Sequence, residues 1–287
     1  MKPLRLALAA LALSAAAHAQ DGGVNVGRAS PLRNLVSAEQ VEAQAAQQYD
    51  QLLQQAAQQR ALAPASNAQV QRLRAVAQRI IPQAPRWNPR AAQWKWEVNL
   101  IGSKQLNAFC MPGGKIVFYT GILDTLKLSD DEVAIIMGHE MAHALREHAR
   151  ERIGKQAATG AGASLLGALL GVGNLGQTAI NMGANLLTLR FSREDESEAD
   201  LVGLDLAARA GYDPRAGVVL WQKMALASKG APPQWLSTHP AGNTRIHDIE
   251  KTLPQVLPLY ARARGTTVAQ LPPYKSNLAE LQQAAAR

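Results

Sequence analysis

The chain of 287 residues has a single cysteine, Cys110, so no intramolecular disulfide can brace it. Cys110 lies between Phe109 and Met111 and reads as a small buried hydrophobe rather than a reactive thiol. Aromatic residues are scarce, at 5%, although hydrophobic residues make up 47%. A sizeable core is therefore available, but small and aliphatic side chains must fill it, which favours packed helices. Acidic residues are fewer than basic ones, 22 against 30, and the net charge is +8. That surplus permits contact with anionic lipid, and an ordinary basic surface is the simpler reading. No nucleic-acid-binding motif accompanies the charge, so nucleic acid is not expected as a partner. No repeat period indicates a solenoid.

The first residues carry the pattern of an export signal. Lys2 and Arg5 precede the apolar run Leu6 to Leu13, and Ala17-His18-Ala19 has the small-x-small form of a cleavage site. The apolar run is shorter than the roughly 20 residues that a membrane span needs. The expectation is a signal peptide over 1–19, cleavage near Ala19/Gln20, and a periplasmic mature chain. Residues 20–36 read as a flexible lead-in. Residues 157–189 are almost free of charge, yet Asn174, Gln177, Asn181 and Asn185 interrupt them. Burial or weak membrane contact fits that stretch better than spanning.

Between these segments the hydrophobic period changes twice. Ser37 and Gln40 have capping-box spacing and open an Ala/Gln-rich helix. A second helix is predicted over about 67–81, with Val70, Leu73, Val76, Ala77 and Ile80 on one face. Trp94, Trp96, Val98 and Leu100 alternate with polar residues, which predicts a strand. Pro112-Gly113-Gly114 marks a turn, and a short β-rich run over 116–120 follows. Ser129 and Glu132 form a second capping box, from which a helix is predicted to reach Arg152. A polar helix over about 192–210 is closed by Gly211 and Pro214.

The first long helix after the turn carries His139-Glu140-Met141-Ala142-His143. Histidines four apart share one helical face, so both imidazoles can reach one ion. Zinc takes imidazole nitrogen readily and is satisfied by four ligands. Glu140, one step round the helix, can take a proton from a water without occupying a coordination place. A catalytic site of this kind needs a third protein ligand. The continuation x-x-G-x-x-H is absent, since Arg146 and Ala149 stand where that Gly and His would be. His148 falls one residue off and is turned round a continuous helix from His143. A Glu from a later helix is the other solution, and Glu194, Glu196 and Glu198 compete for the place. Glu196 has Asp200 one turn on, placed to accept a hydrogen bond from a ligand histidine; a solvated acidic face is the ordinary alternative.

These segments, taken together, resemble the zinc metallopeptidase family of HtpX, Oma1 and the CAAX prenyl protease, peptidase family M48 of the gluzincin type. The resemblance rests on Asn107-Ala108 through Pro112-Gly113-Gly114, the His139–His143 motif, Ser192-Arg193 with Glu196 to Asp200, and Thr238-His239-Pro240 with Arg245. It covers roughly residues 95–250 and is closest in character to small soluble periplasmic members. It implies a mainly α (α+β) fold with a small β-sheet edging the cleft, one Zn2+ per chain, and His139, His143 and Glu196 as metal ligands. It implies Glu140 as general base, with His239 facing the cleft, either steadying the oxyanion or plugging the metal. Asp200 and Arg245 then support the ligands, and the strand begun by Gly114, Lys115, Ile116 and Val117 is the edge that takes an extended substrate. The expected organisation is one metallopeptidase domain over 37–255, with N-terminal helices over 37–82, a catalytic core over 93–250 and a peripheral segment over 256–287. The expected substrates are unfolded or misassembled envelope or outer-membrane proteins. The alternative is a chaperone or assembly factor that binds such clients with little turnover.

Overall fold

The structure is a computed structural model that describes residues 22–158, 186, 189–228, 234–239 and 244–285. Most of the stretch 157–189, and all of the expected signal peptide, lie outside the described residues. The architecture is mainly helical with one three-stranded sheet, as expected.

Helix α1 (Ala38–Gln58) starts at Ser37, whose hydroxyl accepts from the Gln40 amide. Helix α2 (Ala68–Ile80) starts at Asn67 and buries the five apolar residues that its period marked. Short 3-10 turns over Ile81–Arg86 and Pro89–Gln93 absorb the prolines that follow. The strands are β1 (Glu97–Ile101), β2 (Ala108–Met111) and β3 (Lys115–Tyr119). The expected strand at Trp94 begins later because both tryptophans turn aside: the Trp94 indole donates to Glu42 and the Trp96 indole to the Ala91 carbonyl.

The sheet order is β1-β3-β2. Strand β3 pairs in parallel with β1 and antiparallel with β2. A tight turn joins β2 to β3 through Gly113 and Gly114, both with positive φ (83° and 81°). A Cβ on Gly114 would also meet the Trp96 ring at 2.7 Å, so only glycine serves there. This order corrects one expectation. Gly114, Lys115, Ile116 and Val117 do not form the edge of the sheet, because β3 is its middle strand and its main chain is taken on both sides. The four-residue β2 is one outer strand, and β1 is the other.

Helix α3 (Thr120–Leu126) leads to α4 (Asp130–Leu145), which runs through the centre of the molecule with every residue from Glu132 to Leu145 buried. Its capping box forms as predicted. The helix does not reach Arg152. It stops at Arg146, Glu147 adopts a left-handed φ of 59°, and α5 (His148–Ala158) starts on a new axis. Helix α6 (Arg193–Arg209) packs against α4, followed by α7 (Ala216–Ala227), α8 (Gln234–Thr238), α9 (Arg245–Ala263) and α10 (Leu278–Ala285). Helix α9 passes straight over the expected boundary at 255 and through Pro254 and Pro258. Both prolines face solvent, where water can meet the carbonyls they leave unbonded, while Thr252, Val256 and Leu259 face inward.

The lead-in is also docked rather than loose over its described part. The Val24 amide donates to Asp205, and Arg209 donates to the Gly22 carbonyl at 2.6 Å. Arg146 donates to the Gly27 carbonyl at 3.1 Å, and Arg150 to the Val36 carbonyl at 2.6 Å.

Candidate metal centre

Helices α4 and α6 cross backbone to backbone. A Cβ on Gly138 would lie 2.7 Å from the Gly203 carbonyl oxygen, and one on Gly203 would lie 2.7 Å from the His139 amide nitrogen. Two glycines thus let the helix that carries the histidines approach the helix that carries the acidic residues. His139, Glu140 and His143 project from α4, Glu196 and Asp200 from α6, His239 from the residue after α8, and Arg245 from the first turn of α9.

The donor atoms converge. Nε2 of His139 lies 3.1 Å from Nε2 of His143 and 3.6 Å from Oε2 of Glu196. Nε2 of His143 is 3.5 Å from Oε1 of Glu196. Nδ1 of His239 joins them, 3.3 Å from Nε2 of His139 and 2.9 Å from Oε1 of Glu196. All four residues are buried, and their ligand atoms lie within 4.8 Å of one another. Ligands held roughly 2.0–2.1 Å from one tetrahedral zinc ion lie roughly 3.3 Å apart, so these separations suit such an ion. Neither Glu194 nor Glu198 belongs to the set.

The surroundings favour metal binding. Burial, with His139, His148, His239 and Arg245 near, holds the His143 pKa well below the usual histidine value, and the neutral ring is the one that ligates. Burial alone would raise the Glu196 pKa; the hydrogen bond and charge of His239, with His139 and Arg245, overcome it and keep the carboxylate ionised. Asp200 follows the same pattern: burial opposes ionisation, yet Arg245 and His139 lower its pKa to about 2. Oδ1 of Asp200 sits 2.9 Å from Nδ1 of His139, which turns Nε2 of that ring toward the donor set. Arg245 grips both carboxylates, reaching Glu196 at 2.8 Å and Asp200 at 2.7 and 2.5 Å.

Glu140 is buried beside this set but outside it. Its Oε1 accepts from the Trp235 indole at 2.6 Å and lies 3.6 Å from Nε2 of His239. A cavity of about 50 Å3 opens along Glu140 and His143, walled by Ala108 to Met111 of β2 and by Phe191. Of the sheet's two outer strands, β2 is therefore the one that borders the glutamate, and among the described residues its only strand partner is β3. Cys110 lines the same cavity, and burial, with Glu140 nearby, pushes its thiol pKa well up, which removes it as a nucleophile at neutral pH.

The sequence profile of Peptidase family M48 matches residues 67–253. The chain belongs to that family. Its similarity to the mitochondrial metalloendopeptidase OMA1 of Arabidopsis thaliana is 41% identity over 150 residues, 52% of this chain and 30% of the relative. The metalloprotease LoiP of Escherichia coli is 33% identical over 151 residues, 51% of this chain and 58% of that protein. The beta-barrel assembly-enhancing protease of Yersinia pestis is 28% identical over 176 residues, 55% of this chain and 35% of that protein. In each case the chain spans less than two thirds of the relative's length.

This M48 chain brings together every residue expected at its centre except the edge strand. Two contributors escaped the sequence reading, Trp235 and Phe191, and a third, His148, was read as a surface or supporting residue turned away from His143. Trp235 lies one turn before His239, whose amide donates to the Trp235 carbonyl at 2.8 Å, so a cleft-facing His239 implied it. Phe191 stacks on His143 at a ring distance of 4.0 Å, and only its place before the Ser192 cap hints at this. His148 is buried against His143 rather than turned away, because the break at Glu147 swings it back.

Proposed function

We propose that this chain is a zinc-dependent endopeptidase in which His139, His143 and Glu196 hold the metal and Glu140 is the general base. The convergence of four buried donor atoms beside a tethered glutamate, in a cavity bordered by the outer strand β2, carries this reading. Zinc, when bound there, polarises a peptide carbonyl and acidifies a water. Glu140 accepts the proton of the attacking water and passes it to the amide nitrogen as the C–N bond breaks. Trp235 steers that carboxylate through Oε1. An extended polypeptide adds its main chain to β2, at Ala108 to Met111, which reads backbone more than side chains and suits unfolded substrates.

His239 serves as a removable fourth donor. Its Nδ1 lies inside the donor set, 2.9 Å from Glu196, which favours a latent plug over an oxyanion-binding role. His239→Ala should keep the metal and raise the rate of cleavage; a rate that falls at full metal occupancy would return His239 to the oxyanion.

Unfolded or misassembled envelope and outer-membrane proteins are the substrates we assign, in the periplasm, after removal of residues 1–19. The leader pattern supports this, as do the names of two relatives, the beta-barrel assembly-enhancing protease and the Escherichia coli metalloprotease LoiP. Among the described residues no helix is long and apolar enough to cross a membrane. The test is digestion of casein by the purified chain beside Glu140→Gln, with bound zinc counted in both. The wild type should cut, and the variant should hold zinc without cutting. A variant that still cuts would remove Glu140 from the chemistry.

A further inference from the structure

We infer that His148, Glu198 and Arg146 are positioning residues for His143, setting which of its ring nitrogens faces the metal. The inference rests on the metallopeptidase reading above and adds to it a second support, separate from the one that Asp200 and Arg245 give His139.

The argument follows the hydrogens. Oε2 of Glu198 lies 3.3 Å from Nε2 of His148. A carboxylate only accepts, so Nε2 of His148 carries the hydrogen. The neutral ring then offers a bare Nδ1, which lies 2.8 Å from Nδ1 of His143. Two bare nitrogens cannot bond, so Nδ1 of His143 supplies the hydrogen. Nε2 of His143 is thereby left with its lone pair directed into the donor set, 3.1 Å from Nε2 of His139. Glu198 is held in turn by Arg146, and Arg146 by the Gly27 carbonyl of the docked N-terminal segment.

Three features show that this is a built arrangement. His148 and Arg146 are buried, with exposures of 1% and 8%, so their polar groups cannot turn to water instead. Phe191 stacks on His143 and packs near His148, closing both rings off. The left-handed Glu147 breaks the helix at the place that returns His148 to His143, a conformation that a non-glycine residue adopts only at a cost. Helix α6 thus supplies three carboxylates with three tasks. Glu196 enters the donor set, Asp200 orients His139, and Glu198 orients His143 through His148. Hydrogen bonds of this outer kind typically tune metal affinity by about 10- to 100-fold.

The test is a chelator-competition titration of zinc into the metal-free full chain, with thermal unfolding recorded in the metal-free and zinc-saturated forms. His148→Leu fills the space but ends the hydrogen-bond chain. Its zinc dissociation constant should rise about 10- to 100-fold, and zinc should stabilise it less than it stabilises the wild type. His148→Gln, whose amide can accept from His143 and donate to Glu198, should restore affinity toward the wild-type value. Wild-type affinity in His148→Leu would overturn the inference, as would a loss of metal-free stability with no change in the zinc-induced increment. Failure of His148→Gln to restore affinity would overturn the hydrogen-bond assignment. A wild-type chain that binds no zinc would instead overturn the metallopeptidase reading itself.

Discussion

At Arg245 one guanidinium serves the buried Glu196 and the largely buried Asp200 and also lies 3.9 Å over the Trp221 ring. A forked, planar cation can meet Glu196 and Asp200 together, which a lysine ammonium cannot. Arg245→Met should therefore leave one buried and one largely buried carboxylate without their cation. Urea unfolding of the metal-free protein should register a loss of about 3–5 kcal/mol, and Arg245→Lys should recover little of it. Trp235 sets a different expectation. Trp235→Phe keeps the ring but removes the donor to Glu140, so zinc content should stay at the wild-type level while kcat falls about 10- to 100-fold. A parallel fall in bound zinc would show that Trp235 acts by packing alone. At this scale the sequence was informative because metal chemistry restricts residue type and spacing. His139, Glu140 and His143 were legible on that ground, and Asp200 pointed to Glu196 among three glutamates; the choice of Glu196 and the place of Arg245 came from the family resemblance. His148 was legible only as either a surface or a supporting residue, because its position depends on the backbone angle at Glu147.

Among the elements, the crossing of α4 and α6 is the decisive contact. Gly203 follows Glu196 by seven residues and Asp200 by three, so it sits on the face that carries the carboxylates. Gly203→Ala should push the helices apart, costing about 1–3 kcal/mol and weakening zinc binding with it. Gly217→Ala is the matched control, since the atoms nearest its Cβ belong to side chains, Leu204 at 3.2 Å and Ile249 at 3.4 Å, rather than to backbone. It should cost less and leave zinc affinity unchanged. Thermal unfolding and zinc titration of the two variants separate these outcomes. The helices that carry caps and regular apolar spacing, α2 and the first turns of α4, were legible for local reasons. Two strands of the sheet and the turn before β3 were legible as well, but β2 and the strand order were not, because β2 has only four residues and its outer place depends on β3 passing it to pair in parallel with β1. The run of α9 through Pro254 and Pro258 was hidden too, since a proline signals a break unless it is known to face water.

For the whole molecule, residues far apart in sequence, those of 139–143 and 196–200 with His239 and Arg245, close on one point. That closure explains why the site is buried and why the donor atoms sit at ligand spacing. Metal binding should couple to global stability: at zinc concentrations about 100 times the dissociation constant, the folded state gains about 2.7 kcal/mol. Treatment with a chelator should lower the unfolding midpoint and stop cleavage, and added zinc should restore both. The central claim is that these four buried side chains form a metal site with Glu196 as the carboxylate ligand. The most direct measurement is bound zinc per chain, after dialysis against excess, in the wild type, Glu196→Gln and Glu198→Gln. Glutamine at 198 still offers a carbonyl to His148, so the expected result is full occupancy in the wild type and Glu198→Gln and little in Glu196→Gln. Equal occupancy in the two variants would contradict the assignment.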